Sequence, residues 1–267
     1  MYAHVKQSGE LLASQGKPGE FWTPNGVRAS TEKVAAAHRR WTNGELGLRG
    51  LMLVSGAGNQ IRGERLREHG IARGYEDVLG RLATVSNTLV LASALAARGV
   101  PVSVFIADSM VYKDARNQDL AFKEYDPCAV MDAYAQENVV LVGGGTGKDG
   151  QTTDTAVLEY AAMQKAHTPD ADVVALKGTK FDGVFDSDPR TNATARRYSV
   201  ISAHTMLENY EQYAAVDQPS LHQIIKTGVS LQVYADGHHD LVTVLNGGRE
   251  DIGTLIVSDD VEPQLAA

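Results

Sequence analysis

A doubly wound α/β fold is predicted by three features of the sequence. Short apolar runs rich in β-branched residues recur along the chain, helical patterns lie between them, and the runs are mostly continuous rather than alternating. Continuous apolarity is what a strand buried on both faces of a parallel sheet requires. Ligands in such folds gather beyond the carboxyl ends of the strands, so the loops that follow each run are where function is sought.

The runs are AHV (3–5), LMLVSG (51–56), VSVFIA (102–107), VVLVGG (139–144), DVVALKG (172–178), LQVYADG (231–237) and GTLIVS (253–258). The clearest helix is EDVLGRLATVSNTLVLASALAARG (76–99), with Gly99 as its stop. Residues 13–30, rich in Gly, Pro and polar types, read as a long loop. Residues 108–127 are polar and irregular and suit a lid or an interface segment, and the acidic tail after Ser258 reads as frayed.

The loop after the first strand is Lys6-Gln7-Ser8-Gly9-Glu10, where a charge, a hydroxyl and backbone N–H groups can hold a phosphate together. The second loop is Ser55-Gly56-Ala57-Gly58-Asn59-Gln60-Ile61-Arg62-Gly63. Its small residues let backbone approach a phosphate, and Arg62 can clamp one bidentately. It is not the dinucleotide fingerprint, because Ile61 stands where that motif needs Gly.

The third loop, VLVGGGTGKDGQTTDTA (141–157), has the outline of a phosphate cradle but fails as a P-loop. Val142 replaces the first Gly, and Asp149 replaces the magnesium-holding hydroxyl. Gly143 to Gly147 still allow a backbone with positive φ, and Thr152, Thr153 and Asp154 open a helix, with Asp154 expected to cap it. In the fourth, ALKGTKFDGVFDSDP (175–189), Lys177 and Lys180 are expected at a strand exit, followed by Asp182-Gly183 and Asp188-Pro189 turns. Two lysines, a threonine and three aspartates between 177 and 188 can hold a nucleotide and its metal.

Bulk composition narrows the classes. The chain has 267 residues, a 43% hydrophobic fraction and a net charge of −8. That size suits one large α/β domain or two small ones, and that charge disfavours nucleic acid or an anionic membrane as partner. The one cysteine, Cys128, excludes an internal disulfide and any multi-Cys metal site. The amino terminus lacks a signal-peptide pattern, and no apolar run approaches the ~20 residues of a membrane span, so a cytoplasmic protein is expected. His238-His239 reads as a surface turn, since adjacent residues diverge.

Together these motifs resemble the amino acid kinase superfamily, and within it the bacterial-type uridylate kinases, in order along nearly the whole chain. VKQSGE is similar to the family's N-terminal Lys-x-Ser-Gly-Glu, and SGAGNQIRG to its Gly-rich turn. YEDVLGRLATVSNTLVLASAL resembles its long helix. GTGKDGQTTDTA resembles its Gly-Thr-Gly…Thr-Thr-Asp loop, and LKGTKFDGVFDSDP its Lys-x-Thr-Lys-x-Asp-Gly signature.

The resemblance implies a three-layer α/β/α sandwich around a mainly parallel sheet. It implies a single domain with acceptor binding roughly in 1–165 and ATP binding roughly in 166–267. Transfer of the γ-phosphoryl of ATP to UMP, with Mg2+ arriving on ATP, and a homohexamer are implied too. Carried over by position, Lys6, Ser8, Gly9, Gly58 and Arg62 meet ATP or the transferred phosphates, and Thr179, Phe185 and Asp188 border the adenosine. Ala57, Asp77 and the loop from Thr146 and Gly147 to Thr152 and Thr153 hold UMP. Lys6, Arg62 and Lys177 or Lys180 are the catalytic cations, with Asp217 and Asp182 orienting the lysines.

The chain departs from the family pattern at Ala57, normally Gly, and at Lys148-Asp149-Gly150-Gln151, normally Asn-Pro-Phe-Phe around the acceptor. Two other readings therefore stand beside UMP kinase. One is a same-fold kinase for another small acceptor: a different nucleoside monophosphate, a carboxylate or a carbamate. The other is a non-catalytic nucleotide-binding or anion-storage protein.

Overall fold

The computed structural model describes residues 1–14, 20–61, 63–107, 122–213, 215–247 and 252–266, with the side chains of 63–65, 73, 122 and 123 outside that description. The chain divides into two compact units, Met1–Val5 with Val157–Ala267, and Lys6–Ala156.

The Lys6–Ala156 unit is built on strands β2 (Gly50–Ser55), β3 (Val102–Ile106), β4 (Phe122–Glu124) and β5 (Val139–Gly143). Their order is β2-β5-β3-β4, all parallel. Every residue of β2 and β5 is buried, which is why both read as unbroken apolar runs rather than alternating ones. The last residues of β1 (Tyr2–Gln7) also belong here, and Gly56 N donates to Gln7 O at 2.9 Å.

Among the described residues the α-helices wholly in this unit are α1 (Pro24–Thr42), α2 (Gly63–Glu68), α3 (Arg73–Ala96) and α4 (Pro127–Ala135). The predicted loop 13–30 is corrected from Pro24 onward by α1, and 15–19 lie outside the described residues. Thr23 accepts from Gly26 N at 3.0 Å, and Pro24 occupies the first helical position, where its fixed φ favours the turn. Gly26 is needed there, since a Cβ would stand 2.5 Å from the carbonyl oxygens of Leu11 and Leu12. The predicted lid or interface segment 108–127 lies mostly outside the described residues, but its end forms β4 and the start of α4, which Asp126 caps through Cys128 N and Ala129 N.

Helix α3 fills most of the predicted span 76–99 and stops short of Gly99, which takes φ +73°. Within it Gly74–Ala96, 23 residues of mean hydropathy 1.4, is long and apolar enough by composition to cross a membrane, which corrects the reading that no such stretch exists. Of its most apolar window 44% is buried in the fold. Leu91, Ala92 and Leu95 are buried in it, and so are Asn87 and Thr88.

The other unit carries β6 (Val173–Thr179), β7 (Tyr198–Ser202), β8 (Leu231–Ala235), β9 (Thr254–Val257) and β10 (Gln264–Leu265), with β1 beside β6. Their order is β10-β7-β9-β8-β6-β1. β6 runs parallel to β8, and β7 to β9, while β8–β9 and β10–β7 are antiparallel. β10 corrects the frayed tail: Gln264 and Leu265 pair with Val200 and Tyr198. Helix α5 (Thr153–His167) enters this unit at Val157, and α6 (Ala203–Glu208), α7 (Gln218–Thr227) and α8 (Leu241–Asn246) complete it. Ser202, Asp217 and Asp240 cap the last three through Thr205 N, Ser220 N and Thr243 N. The architecture is therefore mixed α/β with mainly parallel strands, as the sequence predicts.

Candidate functional site

In the Lys6–Ala156 unit the loops after β1, β2 and β5 meet on α3. The hub is Asn87, fully buried in the middle of an apolar helix. Its Nδ2 donates to Gly56 O and to Asn59 Oδ1, each at 2.7 Å. Its Oδ1 accepts from Gln60 Nε2 at 2.7 Å and Trp22 Nε1 at 2.8 Å. Both ends of the amide are thus satisfied, and the turn from Gly56 to Gln60 is fixed from beneath. Gly9 packs onto the same network, and a Cβ there would stand 2.6 Å from both Asn59 Oδ1 and Gly56 O. Ser8 makes no capping bond at the 3-10 turn Gly9–Ala13.

The loop after β5 is stitched to α3 from the other side. Gly144 N donates to Thr84 Oγ1 at 2.8 Å, and Gly150 N donates to Asp77 Oδ2 at 2.9 Å. Arg81 Nη1 meets Asp149 Oδ1 at 2.6 Å. At Gly147, φ is +72° and a Cβ would stand 2.6 Å from Ala107 O, so a side chain is barred both by conformation and by space. Thr152 Oγ1 accepts from Asp154 N and Thr155 N at the start of α5. The expected cap is thereby corrected. Thr152 caps the helix, and Asp154 instead faces Lys6, with Nζ and Oδ1 3.6 Å apart. A carboxylate one residue into the first turn points sideways off the helix, which suits a partner better than a cap.

Between the turn after β2, α3 and the loop after β5 lies an open cavity of about 250 Å³. Of the predicted acceptor residues, Ala57, Asp77, Thr152 and Thr153 line it, and Gly58 joins them. Thr146 and Gly147 stand in the same loop but outside the lining, and Thr146 Oγ1 accepts from Lys148 N. Arg62 lies outside the described residues. Sequence reasoning passed over Glu76, Gly80, Arg81 and Thr84, which also line the cavity. Their signal was the helical spacing: 76, 80 and 84, like 77, 81 and 84, share a helix face.

In the other unit, Lys177 lies inside β6 rather than at its exit. It is 7% exposed, and Nζ donates to Ala215 O at 2.7 Å. Lys180 is the exposed lysine beyond the strand. Thr179 Oγ1 donates to Phe181 O at 2.5 Å, closing the turn that follows. Asp217 serves as the cap of α7, accepting from Ser220 N at 2.9 Å.

Asp182 does not orient a lysine in the contacts described. It accepts from Ala235 N at 3.1 Å and pairs with His239 Nε2 at 3.0 Å and Arg197 Nε at 3.8 Å. Only a fold that returns β8 alongside β6 brings His239 to Asp182, so residue spacing gave no warning. His238-His239 does lie in a turn.

A cavity of about 320 Å³ opens beside the 181–190 segment, with Phe181, Phe185, Asp188, Pro189, Gln212 and Tyr213 in its wall. Asp188 is gripped by Arg190, whose Nη2 lies 2.7 Å and Nε 3.0 Å from it, and this holds its carboxyl below the usual range. Tyr198 contacts Tyr213 edge-on with the hydroxyls 3.3 Å apart. Burial, together with that neighbour, pushes the Tyr198 phenol up to about 12. Gln212 Nε2 donates to Asp186 O at 2.9 Å, tying the wall to the 184–198 hairpin. Aromatic faces with polar edges suit a purine base.

Among the described residues no group of three His, Cys, Asp or Glu is arranged to hold a metal. Asp188 is instead paired with Arg190, Asp186 with Arg196, and Asp182 with Arg197 and His239. The donor set therefore fits a metal carried in on phosphate oxygens better than one caged by protein.

The profile of the amino acid kinase family matches residues 5–233. The uridylate kinase of Bradyrhizobium sp. (strain ORS 278) is 28% identical over 255 residues, covering 94% of this chain and 95% of that protein. The uridylate kinase of Azorhizobium caulinodans is 36% identical over 199 residues, 74% of each chain. The crystal structure of UMP kinase from Bacillus anthracis superposes with a TM-score of 0.79 at 24% identity, covering 100% of this chain and 98% of that one, a likeness of fold.

Proposed function

This chain belongs to the amino acid kinase family, in its uridylate kinase branch, and from that premise we propose that it transfers the γ-phosphoryl of ATP to UMP, giving UDP and ADP. One observation carries the reading to the residues. Ala57-Gly58, Asp77 and Thr152-Thr153, far apart in sequence, line one cavity whose walls are a small-residue turn, a helix and a helix start. That combination offers a phosphate close backbone approach and N–H donors, and offers a nucleoside a carboxylate and hydroxyls.

Phosphoryl transfer needs positioning and charge neutralisation more than covalent help from the protein. The acceptor oxygen of a nucleoside monophosphate is largely ionised near pH 7, so no general base is required. Lys6 is read as a cation at the ATP or transferred phosphates, exchanging its contact with Asp154 for the incoming anion. Ser8, Gly9, Gly58 and Arg62 are read as further phosphate donors, and Asp77, Thr146, Gly147, Thr152 and Thr153 as holding the acceptor. ATP is read into the cavity walled by Phe185 and Asp188, with Thr179 at its turn. Lys177 and Asp217 act by fixing the 215–220 segment, Lys177 through Ala215 O and Asp217 through Ser220 N. Mg2+ is read as arriving on ATP, where it neutralises phosphate charge. We further propose a cytoplasmic homohexamer working in pyrimidine nucleotide synthesis.

The test is ADP release with ATP and Mg2+ against a panel of nucleoside monophosphates, small carboxylates and carbamate, with sedimentation for assembly size. UMP is expected to give the highest kcat/KM. A higher value for another acceptor would move the assignment within the fold. ATP binding without turnover on any acceptor would favour a non-catalytic protein.

A further inference from the structure

Among the described residues, Glu76 is the one strongly buried carboxylate in the wall of the acceptor cavity, at 7% exposed. Arg67 Nη1 holds its Oε1 at 2.6 Å. Its Oε2 is buried and has no hydrogen-bond partner among the described residues. A buried carboxylate oxygen without a donor is costly, and native structures rarely leave one so unless a ligand or water supplies the partner.

The neighbourhood says what kind of partner fits. One helical turn on from Glu76 is Gly80, where a Cβ would find no atom within 4 Å, so the wall is open there. One further turn on is Thr84. The row is thus a carboxylate, a gap and a hydroxyl, with Asp77 and Arg81 flanking it. A phosphate is repelled by Glu76, so the part of an acceptor beside it is the nucleoside. A nucleoside offers neutral donors of one chemistry from two places, the ribose hydroxyls and the base N–H.

We propose that Glu76 determines acceptor specificity, its Oε2 accepting a hydrogen bond from a neutral O–H or N–H donor of the acceptor nucleoside. The inference rests on the reading of this cavity as the acceptor site. Arg67 orients the carboxylate through the other oxygen, so the acceptor atom is fixed before the ligand arrives.

The test uses Glu76→Gln. Arg67 would draw the amide oxygen toward itself, turning the NH2 group to the ligand, so donor would face donor while the Arg67 contact survives. Steady-state kinetics would be measured with UMP, 2′-deoxy-UMP, 3′-deoxy-UMP and N3-methyl-UMP. The expected result is a KM for UMP raised at least about tenfold with the KM for ATP unchanged. For the one analogue that lacks the donor in question, wild type and variant should agree, which identifies the donor. An unchanged KM for UMP, or an equal loss with all four acceptors, overturns the inference while leaving the kinase reading intact. A wild type that neither turns over nor binds UMP overturns that reading, and this inference with it. If the variant lacks a cooperative melt, the wild-type series decides, and equal KM values for all four acceptors overturn the proposal.

Discussion

The ammonium of Lys6 stands 3.6 Å from the carboxylate of Asp154, and both side chains are largely buried, at 16% and 14% exposed. Lys6 is next to the last residue of β1 and Asp154 lies in the first turn of α5, so the pair joins the first and third sequence motifs. An incoming phosphate at this point would compete with Asp154 for the same cation. Removing Lys6 takes away the charge but leaves Asp154 in the first turn of α5, where the helix dipole favours an anion. Lys6→Ala is therefore expected to lower kcat at least about tenfold while costing only about 1 kcal/mol of stability. Turnover near the wild-type value in a folded variant would remove Lys6 from the reaction.

Arg81 and Asp149 behave differently because their exposures differ. Asp149 is 69% exposed, so its ion pair with the largely buried Arg81 contributes under about 1 kcal/mol. What the pair fixes is the position of the Lys148–Gln151 loop, together with the Gly150 N–H held by Asp77. Asp149→Ala should leave the melting temperature almost unchanged and raise the KM for UMP roughly three- to tenfold, since the loop must then be ordered by the ligand. Faster amide exchange at Gly150 would accompany it. A KM equal to wild type would mean that the loop's position is immaterial to acceptor binding.

Gly178 is held to glycine by Asp236. A Cβ at that position would lie 1.9 Å from Asp236 Oδ2 and 2.3 Å from its carboxyl carbon. Asp236 is buried beside Tyr234, whose phenol is pushed up by its own burial and by this carboxylate. Gly178→Ala should cost about 3 kcal/mol or more, because a buried carboxylate has to move off its partners. The double variant with Asp236→Ala should recover much of that loss. A single variant that melts like wild type would show that the carboxylate shifts freely.

The sequence made the strands legible because most of them are buried on both faces, so β2, β5 and the first part of β6 appear as the apolar runs LMLV, VVLV and VVAL. β7 was missed since YSVIS carries two serines and follows a turn-rich stretch, and its first residues are only half-buried. α1 was missed because Gly26, Pro24 and Thr23 look like loop residues, although here they form a capped helix start. The site's outline was legible in its glycines and hydroxyls, which the backbone geometry of a loop demands. The partners of charges were not. Asp154 to Lys6 and Asp182 to His239 depend on which loops the topology returns to one another, and local spacing does not encode that.

His4 carries the last prediction. It is fully buried in β1, and neither ring nitrogen has a hydrogen-bond partner among the described residues. Burial alone lowers its pKa from 6.5 to about 3. A pKa depressed on folding means that the unfolded chain binds the proton more readily than the folded one. The neutral ring's full contribution to stability is thus present above about pH 6.5, and it is lost as the pH falls from there toward 3. The slope is about 1.4 kcal/mol per pH unit. Between pH 7.5 and 5.5 this one residue should remove about 1.4 kcal/mol, in a window where most carboxylates stay ionised. Denaturant melts of wild type and His4→Leu at the two pH values check it. The variant should lose less stability than wild type across the window by about that amount, and an identical loss in both would mean that the buried imidazole is already paired or protonated.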